Sequence, residues 1–215
     1  MKFQGIIFDL DGVICFTDEY HYLAWKAIAD TIGVAFDRSV NNQLRGVSRM
    51  ASLNIILEKS TKVYSDAEKA DLAQKKNCLY LEYLEQMSPR DLSDDVCNTL
   101  NALRKNGHKL AIGSSSKNAP VILERLGLRG FFDAESDGNM ITHSKPDPEV
   151  FLTAARLLNL EPTECLVVED AVSGATAGHR GGFPVACIGD AAKAGAGDYN
   201  MDSITELLEI VKKQS

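Results

Sequence analysis

Along the chain the apolar positions follow three successive patterns. Gly5-Ile6-Ile7-Phe8 is a short apolar run that ends in Asp9-Leu10-Asp11-Gly12. A run rich in β-branched and aromatic residues predicts a strand covered on both faces. Between 18 and 87 the spacing becomes helical. Leu23, Ala24, Ala27, Ile28 and Ile32 recur on one face, and Gly33 is placed to end that helix. Leu53, Ile56 and Leu57 mark a second helix, with Ser48 as its N-cap. Ser65-Asp66-Ala67-Glu68 has the capping-box pattern and opens a long helix through Leu72, Lys76, Leu79, Tyr83 and Met87, stopped by Ser88-Pro89.

Beyond Pro89 helices alternate with strands. The pattern predicts a helix around Val96, Leu100 and Leu103 that is closed by Gly107. Strands follow at 109–113, 166–168 and 185–188, and helices at 121–126, 150–158, 171–179 and 204–213. The Ala- and Gly-rich stretch 191–197 predicts a surface loop. Strands alternating with helices indicate an α/β fold, a Rossmann-like parallel sheet with right-handed crossovers. The helical stretch is then an inserted module. The expected division is a core domain from 1–14 and 89–215 and a helical cap from 15–88, with hinges near 14–17 and 88–92.

Composition narrows the functional classes. The 215 residues are 45% hydrophobic and 25% charged, an ordinary globular balance with room for one core and a smaller satellite. A net charge of −7 gives a nucleic-acid partner no electrostatic support. No apolar stretch approaches the ~20 residues of a membrane span. The chain runs directly into a strand without a signal-like segment, so a cytoplasmic location is expected. The five cysteines are scattered with no Cys-x-x-Cys pair, which suits free thiols in a reducing compartment.

Candidate chemistry lies where a parallel sheet would deliver it, just after strands. Asp9 and Asp11 are one residue apart, so in an extended stretch both carboxylates point the same way. Such a pair can divide into a nucleophile or metal ligand and an acid/base, although a solvated turn would also carry Asp-x-Asp. Ser114-Ser115-Ser116-Lys117-Asn118 precedes Ala119-Pro120. There Asn118 can N-cap a helix, and hydroxyls, N–H groups and a lysine make an anion site; a plain capped loop is the alternative. Ser144-Lys145-Pro146-Asp147-Pro148 is a stiff loop whose lysine is either solvated or set among carboxylates and a bound phosphate. Glu169-Asp170 follows another buried strand. If the two strands are neighbours, Asp9, Asp11, Glu169 and Asp170 converge. Four carboxylates then require a cation. Oxygen donors completed by water suit Mg²⁺, and no histidine or cysteine cluster suggests zinc.

In this order, Phe-Asp-Leu-Asp-Gly-Val, the 114–118 loop, Lys145-Pro-Asp-Pro and Glu169-Asp170 resemble the four motifs of the haloacid dehalogenase superfamily of phosphotransferases. The resemblance covers essentially the whole chain. It is closer still to the β-phosphoglucomutase branch, through Glu19-Tyr20-His21, Ala24-Trp25-Lys26, Leu44-Arg45-Gly46-Val47-Ser48-Arg49, Lys76-Asn77 and Ser116-Lys117-Asn118.

The resemblance implies that Asp9 forms an aspartyl phosphate and that Asp11 is general acid/base. It implies Mg²⁺ held by Asp9, the backbone carbonyl of Asp11, and Asp170, with Glu169 assisting. Ser114 and Lys145 would bind the transferring phosphoryl group. Arg49 would grip the second phosphate, with Ser116, Lys117 and Asn118 on the core side. Thr17, His21, Gly46, Val47, Ser48 and Lys76 would serve cap closure and sugar recognition.

One departure stands out. The family usually carries threonine and aspartate just before Thr17, where this chain has Cys15 and Phe16. The expected activity is interconversion of β-glucose 1-phosphate and glucose 6-phosphate through a bisphosphate, by a monomer acting on small sugar phosphates. A sugar-phosphate phosphatase is the nearest rival. A silent sugar-phosphate sensor is opposed by the intact Asp9, Asp11, Lys145 and Asp170.

Overall fold

The computed structural model describes residues 3–212. In chain order, β1 (Gly5–Phe8) is followed by four helices: α1 (Asp18–Thr31), α2 (Arg38–Asn42), α3 (Arg49–Leu57) and α4 (Asp66–Leu84). Then come α5 (Asp94–Lys105), β2 (Lys109–Gly113), α6 (Ala119–Arg125), β3 (Ala134–Ser136), α7 (Glu149–Leu158) and β4 (Cys165–Glu169). The chain continues through α8 (Val172–Arg180), β5 (Val185–Cys187), α9 (Gly189–Lys193), β6 (Tyr199–Asn200) and α10 (Leu207–Lys212). It divides into two compact units, Thr17–Met87 and the flanking segments up to Phe16 and from Ser88 onward.

The flanking segments build the sheet unit. All strand pairs are parallel, in the order β3-β2-β1-β4-β5-β6. This is the α/β architecture that the alternating pattern predicts. β1 is central, so Ile6, Ile7 and Phe8 are wholly buried, which is why the run carries no polar residue. One face of the sheet packs Ile7, Ala111 and Val167 against Val150, Phe151 and Ala154 of α7 and Ala175 and Ala177 of α8. Gly113 matters to that packing: a Cβ there would stand 2.7 Å from the Phe151 ring. The chain leaves β1 for β2 on one side and reaches β4 on the other. That reversal opens a crevice at the strands' C-terminal ends, the place where open α/β sheets hold ligands.

The helical unit has its own core, which includes Trp25, Ile28 and Ala29 of α1, Leu53 and Ile56 of α3, and Leu72 and Ala73 of α4. Three of its helices, α2, α3 and α4, start on side-chain caps. Asp37 accepts from Val40 N, Ser48 from Ala51 N, and Ser65 with Glu68 forms a complete capping box. Arg45 pairs with Asp18, and Arg38 with Glu19 at 2.7 Å.

Several elements differ from the sequence pattern. α2, β3 and β6 are additional. α9 occupies part of the 191–197 stretch expected to be a loop, with Ala191 buried. The long helix α4 ends at Leu84, short of Met87. The last helix splits into a 3-10 turn, Ile204–Glu206, and α10. Lys213, which the expected helix included, lies outside the described residues. Among the described residues no helix is long and apolar enough to cross a membrane.

Candidate active site

The site begins where β1 and β4 end side by side. Phe8 faces Val168, and Asp9 N donates to Val168 O at 2.9 Å, so Asp9 is carried by the last rung of the ladder. Glu169 is the final residue of β4, and Asp170 follows it. Carboxylate oxygens of Asp9, Glu169 and Asp170 lie within 4.8 Å of one another, and all three residues are buried. Lys145 enters the group from the loop before α7. Its Nζ donates to Asp9 Oδ1 and to Glu169 Oε1, each at 2.5 Å.

Two glycines make room for these acids. A Cβ on Gly12 would collide with the Asp170 carboxylate, and one on Gly174 with that of Glu169. Gly12 also has φ +84°, which L side chains resist. Glu169 Oε2 accepts from Ala171 N at 2.9 Å, beside the start of α8. Burial pushes the Glu169 carboxyl up to about 6, against the pull of Lys145. Burial acts to lower Lys145, but Asp9 and Glu169 outweigh it and hold the ammonium above its ordinary value.

One ammonium among three buried carboxylates leaves an excess of negative charge. The donors are hard oxygens, and the Gly12 cradle lets Asp170 approach. This set fits a small divalent cation such as Mg²⁺.

The fourth expected carboxylate is not in this group. Among the described residues the acids whose ligand atoms lie within 4.8 Å of one another are Asp9, Glu169 and Asp170, without Asp11. The chain turns after Leu10: Ile14 N and Cys15 N both donate to Leu10 O, at 2.9 and 3.1 Å, and Gly12 N donates to Cys15 O at 2.7 Å. Asp11 and Cys15 face each other as an isolated parallel bridge that closes this turn. Cys15 Sγ lies 4.0 Å from Asp11 Oδ1. Burial, then Asp11, Asp9 and Asp91, raise that thiol well above its ordinary value, so it stays protonated.

The 114–118 loop leaves β2 in the same sheet. Ser114 is buried and its N donates to Ser136 O at 3.0 Å. Ser116 N donates to Ser114 Oγ and Asn118 N to Ser116 Oγ, each at 3.2 Å. Lys145 N reaches Ser115 Oγ at 3.5 Å, which ties this loop to the lysine's own. Asn118 does occupy the N-cap position of α6, but its side chain does not cap; that expectation is corrected. Its backbone there has φ −98° and ψ 5°, not the extended conformation from which an N-cap side chain reaches the first-turn N–H groups.

On the helical unit, Arg49 is the first residue of α3 and is half-buried. Burial lowers its guanidinium from its ordinary value, while Tyr80 and Cys78 act weakly the other way. Gly46, with φ +70°, and Val47 form the turn before Ser48. Lys76 of α4 is buried. Its Nζ meets His21 Nδ1 at 2.8 Å and lies over the rings of Tyr80 and Trp25, at 4.4 and 5.1 Å. Trp25 itself belongs to the core of this unit. Thr17 is buried at the N-cap position of α1, without a side-chain cap bond.

The family model of haloacid dehalogenase-like hydrolases matches residues 3–182. The chain belongs to this family. Among haloacid dehalogenase-like relatives it is 44% identical to a β-phosphoglucomutase of Bacillus subtilis over 177 residues, 81% of this chain and 78% of the relative. It is 30% identical to the fructose-1-phosphate phosphatase YqaB of Escherichia coli, over 85% of this chain and 94% of that one. A crystal structure of β-phosphoglucomutase from Clostridium difficile superimposes with a TM-score of 0.92 at 33% identity, covering 99% of this chain and 96% of the other.

Gly174 was not legible as a site residue. Its signal is a Gly five residues after Glu169, on the helix that the acid's strand feeds. A second group, His143, Asp147 and Glu149, also clusters. Its acids serve the backbone instead: Glu149 accepts from Thr142 N and His143 N, and Asp147 from Glu149 N.

Proposed function

We propose that the protein is a Mg²⁺-dependent β-phosphoglucomutase that interconverts β-D-glucose 1-phosphate and glucose 6-phosphate. The fold and the four motifs suit any phosphoryl transfer in the family. The observation that carries the mutase reading is Arg49. It is a half-buried guanidinium, and among the described residues no carboxylate pairs with it. Withdrawing a charge from water without a partner is costly, so such a group suits an anionic ligand. A guanidinium fits phosphate because it bonds two oxygens at once. A mutase needs this second grip and a phosphatase does not.

In this reading the Asp9 carboxylate attacks phosphorus. The bond from phosphorus to the sugar oxygen breaks, and Asp11 gives that oxygen a proton. In the other half-reaction Asp11 takes the proton from a sugar hydroxyl as the hydroxyl oxygen attacks the aspartyl phosphate, and the bond from phosphorus to the Asp9 oxygen breaks to release the carboxylate. The product is β-glucose 1,6-bisphosphate, which then presents its other phosphate to Asp9. Lys145 and Ser114 hold the transferring group, and the Lys145 charge lets one anion approach another. Asp9, the Asp11 backbone carbonyl and Asp170, with Glu169, would hold Mg²⁺, which supplies further neutralisation of phosphoryl charge. Transfer of this kind depends mainly on positioning and charge. The helical unit serves as the cap. His21, Gly46, Val47, Ser48 and Lys76 serve sugar recognition, Thr17 cap closure, and Arg49 with Ser116, Lys117 and Asn118 the phosphate not in transfer.

The test is a coupled assay with α- and β-glucose 1-phosphate, Mg²⁺ and a trace of bisphosphate. The expected result is glucose 6-phosphate from the β anomer only. Arg49→Ala should cut this turnover ten- to a hundredfold or so, since hydrogen bonds to charged groups are worth ~1.5–3 kcal/mol each. Phosphoryl uptake from acetyl phosphate, which has no second phosphate, should suffer much less. Arg49→Lys should rescue in part. Equal losses in both reactions would remove the argument for a mutase. Release of inorganic phosphate without isomerised sugar would establish the phosphatase reading instead, which the likeness to YqaB supports.

A further inference from the structure

Within the 114–118 loop, backbone N–H groups donate to the hydroxyls of Ser114 and Ser116, and Ala119 N donates to Ser116 O at 3.4 Å. The end of β3 and the loop that leaves it also hold this segment. Ser136 O takes Ser114 N at 3.0 Å, and Gly138 N donates to Ser116 O at 3.1 Å. Asn139 Nδ2 donates to Lys117 O at 3.0 Å. The Asn139 amide is itself held, because Nδ2 also donates to Asp137 Oδ2 at 3.1 Å and the backbone N to Asp137 Oδ1 at 2.8 Å.

Asp137 is buried, and Asn139 is exposed at the surface. The two loops touch backbone to backbone. A Cβ on Gly138 would collide with Ser115 O and stand 2.8 Å from Lys117 N. In a trans peptide the N–H points opposite to the carbonyl. Fixing the carbonyls of Ser116 and Lys117 on this second loop therefore turns the N–H groups of Lys117 and Asn118 away from it.

We infer that Asn139 is a positioning residue for phosphate binding. Its amide, anchored on Asp137, pins the Lys117 carbonyl and so sets the orientation of Ser116, Lys117 and Asn118. The inference rests on the reading above, in which that loop binds the phosphate not in transfer.

The experiment compares wild type, Asn139→Ala, Asn139→Asp and Lys117→Ala. It reads KM and kcat for β-glucose 1-phosphate turnover and, separately, the rate of phosphoryl uptake from acetyl phosphate. Asn139→Asp keeps the shape but sets an oxygen against two oxygens, so it should do at least as much harm as alanine. The expected result is a KM raised about five- to tenfold in both Asn139 variants, the scale of one lost hydrogen bond. kcat should change less than KM, and acetyl phosphate uptake less than either. Asn139→Gln, which keeps the amide on a longer arm, should recover part of the KM. An unfolding midpoint close to that of wild type is expected, because Asn139 is exposed.

A raised KM for Lys117→Ala with unchanged Asn139 variants would overturn the positioning role alone. Unchanged KM in all of them would overturn the phosphate reading of the loop together with it. Losses in Asn139→Ala that fall equally on acetyl phosphate, or that come with a large drop in the unfolding midpoint, would make Asn139 a general structural residue and overturn the inference.

Discussion

A methyl group at position 12 would occupy space that the Asp170 carboxylate fills. Gly12→Ala should therefore displace that acid and strain a backbone at φ +84°. The expected outcome is a Mg²⁺ requirement raised tenfold or so with the sheet intact, checked by titrating activity against Mg²⁺ and by circular dichroism. The neighbouring aspartates should separate cleanly. Asp9→Asn should abolish phosphoenzyme formation, seen by mass spectrometry after treatment with acetyl phosphate. Asp11→Asn should still bind Mg²⁺ but lose turnover by about 10²–10⁴ for want of a proton carrier. Full activity in Asp11→Asn would sink its assignment. Asp9, Glu169 and Asp170 were legible in the sequence because acids at the ends of apolar runs have little other use there; Lys145, in a proline-rich loop, was singled out by the family resemblance. The turn at 12–14, which the Asp11–Cys15 bridge closes, is not legible beyond Gly12, because its hydrogen bonds run to the Leu10 carbonyl and leave no side-chain pattern. Asn139 carries no local signal; its partner Lys117 is remote in sequence.

At the scale of elements, α1 and α4 join through His21 and Lys76. Burial, then Lys76, then Arg49, hold the His21 imidazole well below the ordinary 6.5. The unfolded chain thus takes up a proton near that pH while the folded chain does not. More protons bound in the unfolded state means that stability rises with pH. It should be complete above about 6.5 and fall as the medium becomes more acidic, until the folded histidine itself titrates. Unfolding midpoints between pH 8 and 5 test this, and His21→Gln should flatten that part of the profile. An unchanged slope in the variant would place the effect elsewhere. The helices with caps or clear spacing, α1, α3, α4, α5 and α7, were all legible. The unpredicted elements are short or weakly patterned. β3 is Ala-Glu-Ser at the edge of the sheet, β6 has two residues, and α9 is a five-residue Gly-Asp-Ala-Ala-Lys turn. β3 and β6 exist as partners of β2 and β5, and α9 is tied to the end of β4 by Ala191 N donating to Asp170 O at 2.8 Å.

At the scale of the molecule, the buried acids repel one another when no cation offsets them. Mg²⁺ should raise the unfolding midpoint of the wild type, since a ligand that binds only the folded state stabilises it. Asp170→Ala should lose that response and melt higher than wild type in excess chelator, as one of the crowded charges is gone. Turnover should vanish with chelator and return with Mg²⁺; undiminished turnover in chelator would exclude the metal role. The parallel sheet that gathers these acids also governs how the chain is made. β1 pairs with β4 in register Gly5 to Cys165, so the central strand is synthesised long before its second neighbour. At ~5–20 residues per second, Gly5-Ile6-Ile7-Phe8 waits roughly ten to thirty seconds on the ribosome with one edge unpaired. Long-range parallel pairing of this kind is slow and prone to aggregation. A nascent chain arrested before residue 165 should therefore be bound by chaperones and cut readily by protease, and both should cease once β4 has emerged.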